Sequence, residues 1–263
     1  MKLLVAMRSI RAASLAGSVL AVALGFGGSD VALAAGTSCG AEGELCTFSL
    51  QVDGVRVGGG SYTIGEGGAL QLGNAVRFTL DDGSFVGVGA ISGNADPVLG
   101  FNASAGTGLV GHTFAYTFDL PIALSGRIDA NSSISYSLTA TTAAGAEIKP
   151  LLPGGKVLTA LEVDTSVGGL DSLNKGVDAG NKFLVAGGPL TVISPVYTAS
   201  SSFIGSLAYD KMTALVSFSL SPSSNVGISG FVQQVAVPEP STYVLLAVGL
   251  VGVGFAARRR IKV

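Results

Sequence analysis

The chain has few of the residues that hydrolases and metalloenzymes use at their active sites. Its 263 residues include no tryptophan, one histidine (His112), two cysteines, and only 12% charged residues. One histidine excludes a multi-histidine zinc site, and neither cysteine has a histidine or a further cysteine nearby to complete one. The segments at Gly60-Ser61 and at Ala199–Ser202 lack the Gly-x-Ser-x-Gly spacing of an elbow that exposes a nucleophilic serine. We therefore predict no catalytic residue, no metal site and no cofactor.

The carboxylates leave one catalytic alternative open. A glycoside hydrolase needs two carboxyl groups roughly 5–10 Å apart, which sequence spacing alone cannot reveal. The competing interpretation, which we favour, places these residues at turns and on solvated strand faces. His112 opens an alternating segment and is interpreted as a polar residue at a strand end. The candidate carboxylates are Asp81, Asp82, Asp96, Asp119, Asp129, Glu147, Glu162 and Asp164.

The charge of the central segment limits its partners. Residues 35–237 carry eight basic and 15 acidic residues, a net charge near −7. A negatively charged domain repels the phosphate backbone of nucleic acids, so nucleic acid is not a predicted partner. About 200 residues are enough to bury a core, and one domain over residues 35–236 is the simplest division.

The composition and the pattern of apolar residues predict an all-β fold. Glycine occurs 39 times, about twice its usual share, which suits short strands joined by tight turns. Apolar and polar residues alternate over residues 112–120, 133–141 and 212–220, the period of a half-buried strand. We predict an antiparallel β-sandwich, jelly-roll-like, as the exported domain.

Turn residues predict two hairpins within this fold. Asp53-Gly54 and Asp82-Gly83 each stand between apolar runs, and Asp-Gly is favoured in type I′ turns because both central residues need positive φ. One short helix is predicted over residues 170–177, where Leu170, Leu173 and Val177 share a face.

The N-terminal segment has the layout of a secretory signal peptide. Basic residues precede a run rich in alanine, leucine and valine, and Ala32-Leu33-Ala34 is a small-x-small cleavage site. We predict that residues 1–34 are removed after Ala34. Cys39 and Cys46 then lie in an oxidising compartment, where a disulfide between them is expected to close a small loop before the first strand.

The C-terminal segment predicts a single membrane helix. Residues 243–257 carry no charge, and in hydrocarbon such a stretch must be helical to satisfy its backbone groups. The stretch is short for a bilayer, so flanking residues must complete the crossing. Arg258, Arg259 and Arg260, in the basic tail 258–262, form a membrane stop, and the positive-inside rule places the C-terminus in the cytoplasm and the N-terminal body outside.

Before this helix stands the motif Val237-Pro238-Glu239-Pro240-Ser241, with Pro-Glu-Pro at residues 238–240. Motif, helix and arginines together resemble the PEP-CTERM sorting signal of surface proteins in exopolysaccharide-producing, biofilm-forming Gram-negative bacteria. The resemblance covers residues 237–263 and no part of the central domain. It implies processing at or near the motif by an exosortase, a membrane-embedded enzyme, after an intermediate anchored in the inner membrane. The final location it implies is the cell surface or the extracellular matrix.

Three functions remain open for residues 35–236. The first, which we favour, is a non-catalytic surface or matrix protein. The second is a carbohydrate-binding module for exopolysaccharide, with Tyr62, Tyr197 and Tyr209 as candidates for stacking on sugar rings, although the absence of tryptophan weighs against it. The third is an extracellular hydrolase.

Overall fold

Two antiparallel sheets form the body of the protein, whose structure is a computed structural model. It describes residues 46–65, 69–94, 97–164, 169–170, 178–180, 184–205, 208–237, 246–251 and 253. The predicted signal peptide with Ala32 and Ala34 lies outside these residues. The strands of the described part are, in chain order, β1 (Thr47–Val52), β2 (Val55–Ser61), β3 (Thr63–Ile64), β4 (Leu70–Gln71), β5 (Val76–Thr79), β6 (Phe85–Asn94), β7 (Val98–Gly106), β8 (His112–Leu124), β9 (Arg127–Ala140), β10 (Ala146–Pro150), β11 (Leu158–Asp164), β12 (Gly169–Leu170), β13 (Leu184–Ala186), β14 (Thr191–Ile193), β15 (Tyr197–Ile204), β16 (Tyr209–Leu220) and β17 (Ser224–Ala236).

The two sheets differ in which parts of the chain they contain. The first sheet has the order β12-β11-β16-β8-β1-β2, with β10 also pairing with β16 and β13 with β10. The second has the order β14-β9-β17-β7-β6-β5, with β15 also pairing with β9, and β3 and β4 form a separate pair. The prediction of an all-β fold with antiparallel sheets is confirmed. The jelly-roll-like arrangement stays a prediction.

The alternating segments became central strands because each offers one apolar face. In β8 the residues Phe114, Tyr116, Phe118 and Leu120 are all at most 1% exposed, while the residues between them face outward. The apolar faces of β9 and β16 are buried in the same way. The inner faces of both sheets contribute to one hydrophobic core. Alternation with period two therefore identified the core side of these strands correctly.

Aromatic rings join the two sheets at the centre of the core. The ring of Phe118 in the first sheet stacks on that of Phe101 in the second, with centroids 4.6 Å apart. Gly230, opposite Phe101 on β17, leaves the space for this ring, because a Cβ there would lie 2.1 Å from the Cζ of Phe101. The hydroxyl of Tyr116 donates to the carbonyl of Ser104 across the sandwich at 2.7 Å. The sandwich is thus closed by ring stacking and by a buried hydrogen bond.

The predicted hairpins form, with one difference in turn type. Asp53 and Gly54 both have positive φ, 50° and 77°, as a type I′ turn requires, and they join β1 to β2. The second hairpin joins β5 to β6, but only Gly83 has positive φ there. Its loop is one residue longer because it includes Asp81, and the Leu80 N–H donates to the carbonyl of Ser84 at 2.8 Å. The type I′ geometry expected for Asp82 is therefore wrong.

The predicted helix over residues 170–177 cannot be compared with the structure. Leu170 belongs to the two-residue strand β12. Residues 171–177 lie outside the described part of the chain.

Candidate functional site

The last strand of the sandwich ends immediately before the Pro-Glu-Pro motif. β17 runs to Ala236, and the Val237 N–H donates to the carbonyl of Arg127 at 2.7 Å. Pro238 and Pro240 have no N–H group to extend this pairing, so the sequence itself ends the strand here. Pro238, Glu239, Pro240 and Ser241 lie outside the described residues. The motif is thus joined to the folded body without a spacer.

The described part of the predicted membrane helix is helical at residues 246–251 and 253. Its apolar side chains are exposed, among them Leu246 at 60% and Leu250 at 66%. Within the residues that the structure describes, no helix is long and apolar enough to cross a membrane. The full span 243–257 and the stop at Arg258, Arg259 and Arg260 therefore stay predictions.

The environment of Cys46 can be described, but its predicted disulfide cannot be. Cys46 is buried just before β1, and it is not a free cysteine. Its predicted partner Cys39 lies outside the described residues, so the Cys39–Cys46 disulfide stays a prediction.

At the end of the sandwich where β8 begins, His112 is held between two aspartates. Its Nδ1 lies 2.6 Å from Oδ2 of Asp53, and its Nε2 lies 2.8 Å from Oδ2 of Asp82. Asp53 belongs to the β1–β2 turn of the first sheet, and Asp82 to the β5–β6 turn of the second. Each aspartate also accepts backbone and hydroxyl hydrogen bonds, from Thr113 and from Ser84 respectively. His112 therefore links the two sheets, and we call these three residues the histidine bridge.

The histidine bridge favours a charged imidazole. Partial burial by itself lowers the pKa of His112, but hydrogen bonds to Asp53 and Asp82 outweigh it and raise that pKa above its ordinary value. Hydrogen bonds from His112 and from the Ser84 N–H and hydroxyl lower the pKa of Asp82 to about 2. For Asp53, burial raises the pKa, and hydrogen bonds from Thr113 and His112 reverse this and lower it. Both imidazole nitrogens are engaged by carboxylates, so His112 is not placed to accept a proton from a nucleophile.

We expect the histidine bridge to make the stability of the sandwich depend on pH. The pKa of His112 is raised on folding. Protonated His112 therefore stabilises the folded protein fully below pH 6.5, and this stabilisation is lost as the pH rises through the pKa of His112 in the folded protein. The pKa of Asp82 is lowered on folding. Ionised Asp82 therefore stabilises the folded protein above pH 3.8, and this stabilisation is lost as the pH falls toward about 2. Thermal unfolding of the wild type should occur a few degrees lower at about pH 8.5 than at about pH 5.5. The His112→Gln variant should show a smaller difference, and an equal one would contradict the charged bridge.

A shallow cleft of about 260 Å³ adjoins the histidine bridge and brings two carboxylates to one surface. Asp53, Glu147 and Lys149 line it. A glycosidase needs a general acid, a carboxyl group with a raised pKa. The pKa of Asp53 is lowered, and Glu147 forms an ion pair with Lys149 at 3.2 Å. The cleft therefore gives no support to the hydrolase alternative. Within the described residues, no group of three or more histidine, cysteine, aspartate or glutamate side chains is arranged so that it could hold a metal ion.

The other candidate carboxylates with described side chains are dispersed. Asp119 faces outward on the first sheet and accepts a hydrogen bond from Thr213. Asp129 faces outward on the second sheet beside Arg127. Glu162 is fully buried in the core. Asp96 lies outside the described residues.

Two of the three candidate sugar-stacking tyrosines are in the core. Tyr62 is 1% exposed and donates its hydroxyl to the carbonyl of Asp119, and Tyr209 is 2% exposed. Burial, and to a lesser degree the charge of Asp119, raises the pKa of Tyr62. Tyr197 is half-buried and packs on Tyr136. The sequence-based expectation that Tyr62 and Tyr209 stack on sugars is therefore wrong, because both rings are buried in the core.

The outer face of the second sheet is rich in hydroxyl and amide side chains and almost uncharged, and it also includes Phe231 and Val235. Directly opposed side chains form rows across its central strands, such as Ser135, Ser229 and Asn102, and the Ser229 hydroxyl donates to Oδ1 of Asn102 at 2.8 Å. The only charged residues on β7, β9 and β17 are Arg127 and Asp129, at one end of β9. We call this surface the hydroxyl face; its members are Asn102, Ser104, Ser133, Ser135, Ser137, Thr139, Asn225, Ser229 and Gln233.

Comparison with known families identifies the C-terminal segment. Residues 236–260 match the PEP-CTERM protein-sorting motif. This match supports an exported protein that an exosortase sorts. The match begins at Ala236, the last residue of β17, and covers the predicted motif Val237–Ser241. The PEP-CTERM sorting signal predicted from the sequence is confirmed.

Other comparisons add no functional information. No curated protein matches the chain. A family 11 carbohydrate-binding module from Clostridium thermocellum, in complex with a β-1,3-1,4-mixed-linked tetrasaccharide, is 14% identical, with a TM-score of 0.23, over 74% of this chain and 99% of that one. A structure of infectious bursal disease virus, Gx strain, is 12% identical, with a TM-score of 0.16, over 75% and 66%. At these scores neither structure informs the function of this chain.

Proposed function

We propose that this protein is a non-catalytic component of the cell surface or extracellular matrix, delivered as a folded β-sandwich by exosortase processing. The observation that carries the proposal is the sorting motif at residues 236–260, which starts where the last strand ends. A motif placed there lets the membrane helix be separated without loss of any strand. After cleavage near Pro238–Pro240 the whole sandwich remains intact.

The orientation in the membrane follows from the charges around the predicted helix. Four basic residues follow residues 243–257, and the single charge in the motif is that of Glu239. The positive-inside rule then keeps the basic tail in the cytoplasm and the sandwich outside. The anchored form in this proposal is an intermediate in the inner membrane, and the processed form is the functional one.

Fractionation of cells that lack the exosortase tests this proposal. In the parent strain we expect the chain at the surface or in the medium, shorter than the full-length precursor. In the exosortase-deficient strain we expect the full-length chain to remain in the membrane fraction, because its helix has not been separated from the body. Normal release and processing in the deficient strain would refute the proposal.

A second candidate function is contact with neutral exopolysaccharide through the hydroxyl face. The observation that favours it is the chemistry of that surface, whose hydroxyl and amide groups both donate and accept hydrogen bonds, as sugar hydroxyls do. A polysaccharide bound there would not have to displace ion pairs from the central strands. Retention of the protein on purified exopolysaccharide is the measurement that separates this function from a purely structural role.

A further inference from the structure

The strand β15 lies at an outer edge of the second sheet. Among the described residues it pairs only with β9, from Tyr197 opposite Ile134 to Ile204 opposite Arg127. The side chains of Thr198, Ser200 and Ser202 are exposed on its outer face. A strand in this position presents a row of backbone groups to a further strand.

In the part of the chain that the structure describes, this edge lacks the charges, prolines and bulges by which β-proteins prevent pairing with other chains. Natural edge strands carry lysine or other charges, proline, a bulge, or are very short. The nine residues 196–204 contain no charge and no proline, and the ladder between β15 and β9 is continuous over eight residue pairs. The opposite edge of the same sheet is protected, since β5 has four residues and includes the exposed Arg77. Proline occurs directly before the segment, at Pro195.

The sequence of the edge is self-complementary when it is read antiparallel to itself. Directly opposed residues in an antiparallel pair lie on the same side of the sheet, so a two-fold axis must pass through a residue pair. With the axis at Ser200, the pairs are Val196 with Ile204, Tyr197 with Phe203, Thr198 with Ser202, and Ala199 with Ser201. Three of these four pairs join side chains of the same kind: two β-branched side chains, two aromatic rings and two hydroxyl side chains. The fourth pair joins two small residues, Ala199 and Ser201.

This register also matches the exposure of the side chains. Val196 and Ile204 are 64% and 74% exposed, and each would cover the other on the outer face. Tyr197 and Phe203 are half-buried against the core and would extend it across the axis. Cross-strand aromatic and β-branched pairs of this kind stabilise antiparallel sheets. The match between the two halves of this segment favours a second copy of the same strand as the partner.

We propose that β15 is a homodimer site, at which two copies of this chain pair antiparallel through residues 196–204 with Ser200 on the two-fold axis. The second sheets of the two copies then form one continuous sheet, and their hydroxyl faces lie on the same side of it. For a surface or matrix protein the dimer doubles the contact area offered to any extended partner. The interface does not involve the sorting segment.

Disulfide trapping with the full-length chain in the producing cell tests the register. Directly opposed Cα atoms in an antiparallel pair are about 4.5–5.5 Å apart, within the roughly 4.4–6.8 Å that a disulfide spans. We expect Ser200→Cys to give a disulfide-linked dimer on non-reducing gels that disappears on reduction. The wild-type chain, which keeps Cys39 and Cys46, provides the background and should remain a monomer on the same gel.

The matched control is Ser202→Cys, on the same strand and face. In the proposed register the two Ser202 residues are four positions apart along the strand, about 13 Å, which is beyond the reach of a disulfide. Neither Ser202→Cys nor Thr198→Cys should link to itself, whereas cells that express both should give the linked dimer. A monomer with Ser200→Cys, or equal linking with Ser200→Cys and Ser202→Cys, would overturn the proposal.

A charged residue at the two-fold axis provides an independent test. The dimer dissociation constant is measured by sedimentation of the full-length chain in detergent. Ser200→Lys places two like charges opposite each other and should weaken the dimer at least about tenfold. Ser92→Lys, exposed on β6 four strands away, should leave the dimer unchanged. If Ser200→Lys and the wild type have the same dimer dissociation constant, β15 is not the interface.

Discussion

Replacement of Pro238, Glu239 and Pro240 by three alanines should abolish release of the protein from the membrane. The motif is the segment that the exosortase is expected to read, and it follows the last strand, since β17 ends at Ala236. We expect the full-length chain in the membrane fraction and none of the shorter released form. The measurement is immunoblotting of membrane and released fractions, with the size of each band compared with that of the wild type.

The three alanines alter the backbone conformation as well as the motif that the exosortase recognises. A second variant with a different replacement is therefore needed as a control. Three alanines favour helix and remove two prolines, and the membrane helix could then extend toward the sandwich. A Gly-Ser-Gly replacement removes the motif without favouring helix, and we expect the same retention. Release of the Gly-Ser-Gly variant together with retention of the alanine variant would mean that backbone conformation, and not the motif, controls processing.

Local patterns explain why part of this molecule could be predicted from its sequence. The alternation of β8, β9 and β16 and the turn at Asp53-Gly54 are properties of a few consecutive residues, and all four appear in the structure. The sorting motif is also local, and its family was identified without knowledge of the fold. Features of this kind depend on strand period and turn geometry, which each segment carries within itself.

The polar clusters depend on register between distant segments and were not predicted. His112 was correctly placed at the start of a strand, but its two aspartates are 59 and 30 residues away in sequence. The two Asp-Gly turns that predicted the hairpins supply these aspartates. The sequence does not show that Val52 pairs with Phe114, which brings the first turn beside His112. Tyr62 and Tyr209 were misassigned for the same reason, because their burial depends on segments that are distant in the sequence. The position of β15 at an edge is likewise a property of the whole sheet.

Removal of the amide of Gln234 should destabilise the sandwich strongly. Gln234 on β17 of the second sheet donates its Nε2 hydrogen to Oε1 of Glu162 on β11 of the first, and both side chains are fully buried. A buried carboxyl that loses a hydrogen-bond donor keeps its desolvation penalty. We expect Gln234→Leu to lower the free energy of unfolding by about 2–4 kcal/mol, measured by urea denaturation of the exported protein.

A variant of the neighbouring residue Gln233 and a double variant of Glu162 and Gln234 distinguish the loss of this hydrogen bond from a change in packing. Gln233 is half-buried on the hydroxyl face of the same strand, and Gln233→Leu should change the free energy of unfolding by no more than about 0.5 kcal/mol. Replacement of both Glu162 and Gln234 by leucine removes donor and acceptor together, so it should cost less than Gln234→Leu alone. Strictly additive losses would show that the pair is not coupled, and that the cost comes from altered packing between β11 and β17.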